Sequence, residues 1–192
     1  MRVKRRHVVR LLTVIAVGLG PGVVFTRRAL AQNATYNLNH FKAAALLNFA
    51  RYTEWPKDTF ASDSEPFRIR ILGKDPFGKD IDIIKTKDVR GRKLDIQCIS
   101  SVEEAKDCQM LFIAVADKSS VSKILKAVEK TSVLTVAETD GFLEAKGMIN
   151  LVVETAPTGA SKVGFEVNLA VAQKANLKMD AQMLKLAKQV KT

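Results

Sequence analysis

The chain has 192 residues, 47% of them apolar and 27% charged, with a formal charge of +11 at pH 7. That balance excludes a disordered or fibrous protein, while the basic excess invites a nucleic-acid or membrane partner. Position removes most of the invitation: seven of the 31 bases and none of the 20 acids fall in residues 1–31, so residues 32–192 carry 24 bases against 20 acids, a net +4.

Residues 1–31 run from a cationic start (Met1 to Arg10) through an apolar stretch (Leu11 to Phe25) to Ala29-Leu30-Ala31. This is the layout of a secretory signal peptide cleaved after Ala31. An uncleaved anchor is the competing reading, which Arg27 and Arg28 suit. The apolar run is about 15 residues where a span needs about 20, however, and Gly20-Pro21-Gly22 interrupts it. Arg5-Arg6 also fits a twin-arginine signal. The expected mature chain, 32–192, is a single periplasmic domain with no stable membrane insertion after cleavage.

From Tyr36 to Tyr52, Leu38, Phe41, Ala45, Leu46, Phe49 and Tyr52 recur at helical spacing, and Trp55-Pro56 ends the helix. Phe67 to Leu72 reads as a strand. Gly73-Lys74-Asp75-Pro76 then turns into a helix over 77–86, with Asp75 as N-cap. A second strand covers 93–99, and Ser101 with Glu104 forms a capping box for a short helix. Met110 to Val115 is almost wholly apolar, as a parallel strand buried on both faces requires. A helix over 119–130 and a strand over 133–136 follow.

Strands over 148–153 and 162–167 flank Ala156-Pro157-Thr158-Gly159 as an antiparallel hairpin at the sheet edge. Helices over 168–174 and 180–190 close the chain. The expected fold is a three-layer α/β domain, Rossmann-like, whose mostly parallel sheet of about six strands is flanked by helices and carries an antiparallel C-terminal hairpin.

The residues supply little catalytic chemistry. His40, on the first helix, is the one histidine of the mature chain, and neither a nucleophile signature nor a phosphate-binding glycine loop accompanies it. Cys98, Cys108 and His40 are too few and too scattered for structural zinc. Lysines are spread evenly without interleaved aromatics, so no nucleic-acid groove is expected. No cofactor, metal or catalytic residue is expected. Glu138, Asp140 and Glu144 cluster after the fourth strand, on the rim where open α/β sheets bind ligands. If the second and third strands are parallel, Cys98 and Cys108 fall at opposite rims of the sheet. A bridge between them is then disfavoured, and both are expected as buried, unpaired thiols.

Three blocks resemble the YfiR/HmsC-like family of periplasmic proteins: Phe41 through Glu54-Trp55-Pro56; Cys108-Gln109-Met110-Leu111-Phe112-Ile113; and Gly147-Met148-Ile149-Asn150 through Phe165-Glu166-Val167-Asn168 to Leu184-Lys185-Leu186-Ala187. The resemblance implies a regulator that binds the periplasmic domain of an inner-membrane diguanylate cyclase and represses it, limiting cyclic di-GMP and biofilm. It leaves a homodimer open. Gln109 replaces the family's frequent histidine, Ala145-Lys146-Gly147 replaces a Gly-Gly pair, and the two-disulfide pattern of one branch cannot form with two cysteines. Redox sensitivity, if present, rests on Cys108 and Cys98. The expected partner or ligand surface comprises the loops at strand ends: Gly73, Lys74, Asp75 and Phe77, with Asp140 and Phe142. A small-molecule sensor reporting to a membrane protein is the alternative function.

Overall fold

A helix over 38–51 (α1) begins the ordered architecture in the computed structural model, which describes residues 38–157 and 159–192. The expected leader, and its alternative as an anchor, lie outside the described residues. α1 buries Ala43, Leu46, Leu47, Phe49 and Ala50, whereas Phe41 is 63% and Tyr52 39% exposed. The buried stripe is therefore turned from the expected one toward the alanines. Small side chains let the helix approach the sheet closely, and the bulky rings near its two ends stay in solvent.

Thr53–Glu54 (β1) follows and pairs antiparallel with Lys178–Met179 (β9). Trp55 then donates from Nε1 to the Gln109 carbonyl (3.2 Å) and meets the Phe67 ring edge-on at 5.0 Å. Trp55-Pro56 thus fastens the exit of α1 to the sheet as well as ending the helix.

The main sheet has eight strands, not six, in the order β10-β8-β7-β6-β5-β2-β4-β3. Phe67–Gly73 (β2), Arg92–Ile99 (β4), Met110–Ala114 (β5), Leu134–Ala137 (β6) and Ile149–Thr155 (β7) are mutually parallel. Numbered by appearance, these five run second-first-third-fourth-fifth, the flavodoxin-like doubly wound order rather than the Rossmann one. Ser161–Asn168 (β8) closes the hairpin with β7, antiparallel as expected.

That hairpin is not the sheet edge, because Gln189–Lys191 (β10) adds parallel to β8. The expected helix over 180–190 stops at Leu186 (α5, Ala181–Leu186), and Ala187 turns extended. The open edge of β8 offers unpaired backbone groups that a further helical turn cannot satisfy. Asp88–Val89 (β3) is the other addition, folded back on β4 by the two-residue Arg90-Gly91 turn.

The helix expected over 77–86 is instead a 3-10 turn, Gly78–Ile81, running into one short turn of α-helix (α2, Asp82–Lys85). Gly78 at φ 53 lies outside right-handed α-helical geometry, so the α-helix starts only at Asp82. Asp75 still caps, accepting from the Phe77 N–H (2.8 Å) and the Gly78 N–H (3.2 Å). The Ser101/Glu104 capping box is present, on a 3-10 turn, Val102–Ala105. Helix α3 (Lys118–Val128) is capped by Asp117, whose carboxyl is held down at about 2 by hydrogen bonds from Ser120 and Ser119.

The sheet is covered on both faces, which makes three layers. One core joins α1, Ala172 of α4 (Leu169–Lys174) and Met183 of α5 to Phe67, Ile69, Ile71, Met110, Phe112, Val136 and Ile149. The other joins Val121, Leu125 and Val128 of α3 to Leu72, Leu111, Ile113 and Ala137, with Phe142 and Leu143 from the β6–β7 connection. In that connection Lys146 sits at φ 72, the left-handed region that favours glycine. We expect Lys146→Gly to stabilise the protein by about 1 kcal/mol, since it relieves left-handed strain on an exposed side chain. A rise of a few degrees in melting temperature is the readout.

Candidate functional site

The carboxyl ends of β2, β5 and β6 frame a cleft of about 260 Å³ whose walls are Lys74 and Pro76 on one side and Glu138 and Thr139 on the other, over the end of β5. Lys74 and Pro76 of the first expected surface loop line this cleft, whereas Asp140 and Phe142 of the second do not; it lies where the sheet order reverses between β2 and β5. Lys42 of α1 pairs with Glu138 at 2.6 Å, and the Thr139 N–H donates to Asn150 Oδ1 at 3.0 Å, so the β6 wall is braced.

Several of the expected surface residues are structural. Phe77 is 2% exposed and stacks edge-on against Phe112 at 4.9 Å. Phe142 is 1% exposed, its ring packed over Gly147. Aromatic side chains at loop entries turn inward because the core gains more from their area than the rim does. Gly73 closes β2 onto β5, and the Asp75 carboxylate is occupied by its capping bonds. Lys74 and Asp140 remain exposed. The cleft is smaller than ligand pockets of about 300–1,000 Å³, which suits a contact rim better than an enclosed ligand.

Sequence reasoning missed two features. Gln109 is 3% exposed. Its Oε1 accepts from the Arg68 N–H at 2.7 Å, and its carbonyl accepts from Trp55 and from the Leu134 N–H. It ties the α1 exit to three strands. The other is a groove of about 430 Å³ beside Trp55, floored by Phe60 and Phe67 and bordered by Arg90 and Arg92. It joins segments some 30 residues apart, so only Trp-Pro and the Arg-Gly turn hinted at it. Arg68 and Arg70, in a larger polar hollow at the amino ends of the strands, are committed to Glu65 at 2.6 Å and Asp95 at 2.8 Å.

Residues 39–188 match the YfiR/HmsC-like family model, and all three resembling blocks lie within that span. The chain belongs to the YfiR/HmsC-like family. Among curated proteins none matches it. Solved structures similar to this YfiR/HmsC-like chain include an ABC domain in complex with L-Trp from Streptococcus pneumonia, at 13% identity and TM-score 0.45 over 64% of this chain and 54% of that one. Another is a conserved domain protein from Vibrio cholerae O1 biovar El Tor, at 12% identity and TM-score 0.48 over 65% and 55%. The chain spans about half the length of these structures, and likeness at this level carries no argument about ligand or activity.

In this YfiR/HmsC-like fold both cysteines are free, with Cys108 buried as expected but Cys98 exposed. Cys98 is level with Ile71 of β2, while Met110 is level with Ile69, and β2 separates the two cysteine-bearing segments. Two strand spacings across and about four residues along put them roughly 16 Å apart, against the roughly 4.4–6.8 Å that a disulfide spans. Burial pushes the Cys108 thiol up to about 12. Partial burial and the Asp75 carboxylate raise Cys98 as well. At pH 8 we expect iodoacetamide to label native protein slowly at Cys98 and to reach Cys108 only after unfolding; equal native labelling would contradict this placement. His40, half-buried, lies 3.2 Å from Asp80. Among the described residues no cluster of three or more His, Cys, Asp or Glu could hold a metal ion.

Proposed function

We propose that this YfiR/HmsC-like chain is a periplasmic regulator that binds the periplasmic domain of an inner-membrane diguanylate cyclase and holds it inactive. Release then raises cyclic di-GMP and favours biofilm. The observation that carries the reading is the family match over 39–188. On this reading residues 1–31 are a cleaved export signal and 32–192 the working domain. Among the described residues no helix is long and apolar enough to cross a membrane.

Such a regulator needs no catalytic group. It needs a surface that binds one state of the cyclase better than the other, because a ligand shifts an equilibrium only by its differential affinity. The exposed Lys74 and Asp140, on the two loops of the strand-end rim, are the residues we assign to that surface. Lys74→Glu with Asp140→Lys leaves the buried core untouched, so folding is expected to persist while repression is lost. Full repression by the double variant, with normal co-purification of the cyclase, would remove this surface from the account.

A second reading, a sensor that reports a small periplasmic ligand to a membrane protein, is favoured by one observation, the groove beside Trp55. The two readings are compatible if the ligand controls the contact.

A further inference from the structure

We propose that the groove beside Trp55 is a binding site for an anionic monosaccharide unit of the uronate type, a sugar ring bearing one carboxylate. At about 430 Å³ it is of ligand-pocket size. The site does not depend on the cyclase reading, because binding is measured on the protein alone.

Three observations converge there. The floor is aromatic: Trp55 and Phe60 both pack against Phe67, at 5.0 and 6.3 Å between ring centroids. Arg92 lies 3.9 Å over the Phe60 ring and donates to the carbonyls of Ser62, Asp63 and Glu65, so one wall is held rigid. The rim is basic and strained. Arg90-Gly91 is a two-residue hairpin turn with φ 53 and 81. Such a turn favours Asn-Gly, because both positions need positive φ. An arginine there is a strained residue, and strain of this kind gathers at functional sites. Its side chain pairs at 3.4 Å with Glu54, and both groups are solvent-exposed. The third observation is Thr53. It is fully buried, it lines the groove, and its hydroxyl has no hydrogen-bond partner.

These features select the ligand class together. Aromatic rings accept a flat apolar face, which a benzene ring or the C–H face of a sugar can present. Arginine recognises a carboxylate in paired geometry. A buried hydroxyl without a partner disfavours a purely aromatic acid, which would leave it unpaired, and favours a ring carrying hydroxyls. A ligand carboxylate adds a second anion to Arg90 beside the solvent-exposed Glu54, which a neutral sugar cannot do.

Isothermal titration of the purified full chain with D-galacturonate, tri-galacturonate, D-galactose and phenylacetate tests this. Galacturonate is expected to bind at least roughly tenfold more tightly than galactose or phenylacetate. Arg90→Gly should weaken it by roughly tenfold while leaving the melting temperature unchanged or higher, since glycine relaxes the turn. Thr53→Val, which keeps the shape, should weaken it several-fold without loss of fold. Tighter binding of tri-galacturonate would assign the source as a polymer, and equal or weaker binding as the free sugar. Three results would overturn the proposal: phenylacetate binding as tightly as galacturonate, galacturonate affinity unchanged in both variants, or no galacturonate binding at roughly 10 mM.

Discussion

Gly73→Ala is expected to destabilise the protein by about 3–5 kcal/mol, lowering the melting temperature by roughly 10 °C. Gly73 ends β2 at φ 103, a conformation that side-chain-bearing residues rarely adopt, and it pairs in register with Ala114 of β5. A Cβ there would lie 2.7 Å from the Ala114 carbonyl oxygen and 3.1 Å from Val115 Cγ2. The first obstacle is backbone in the middle of the sheet, so it cannot swing aside as a side chain end would. Backbone strain and overlap therefore add. The same substitution separates two roles for the position: if Gly73 mattered only as part of a contact rim, alanine would alter partner binding with little change in stability. Thermal and urea unfolding of the variant decide between them.

Gly147→Ala is expected to cost about 3 kcal/mol for a different reason. The backbone at Gly147 is ordinary, but a Cβ would overlap the Phe142 ring, and the turn is fixed by a 2.8 Å hydrogen bond from the Gly147 N–H to the Phe142 carbonyl. Phe142→Ala alone should cost about 3–5 kcal/mol, because it empties a buried ring site. The double variant should fall short of the sum by about 1–2 kcal/mol, since the new methyl group enters space the ring has left. Strict additivity would mean that the two residues do not share that space.

These contacts also explain what could be read in the chain and what could not. The buried strands were legible because parallel strands covered on both faces are continuous apolar runs, as in Met110–Ala114. The caps Asp75 and Ser101 with Glu104 were legible because a cap is local chemistry; Asn168 caps α4 in the same way, accepting from the Val171 N–H, and also donates to the Leu143 carbonyl. β10 was not, because three residues become a strand only when a distant edge accepts them. Lys188 reaches that edge through its N–H to Phe165, across Gly164, where a Cβ would strike the lysine stem. Phe77 and Phe142 were misplaced on the surface because a residue just beyond a strand end can face either way. Which way is decided by a partner far along the chain, Phe112 in one case. The Trp55 groove was hidden for the same reason, being assembled from residues 53–67 and 89–92.

The central claim is that this family member restrains a diguanylate cyclase from the periplasm. Cyclic di-GMP should be quantified in a strain that carries such a cyclase, with the gene intact, deleted, and restored. The account predicts a several-fold rise on deletion, absent when the cyclase is deleted too, and a return to the starting level when the gene is restored. A level that deletion leaves unchanged would contradict it.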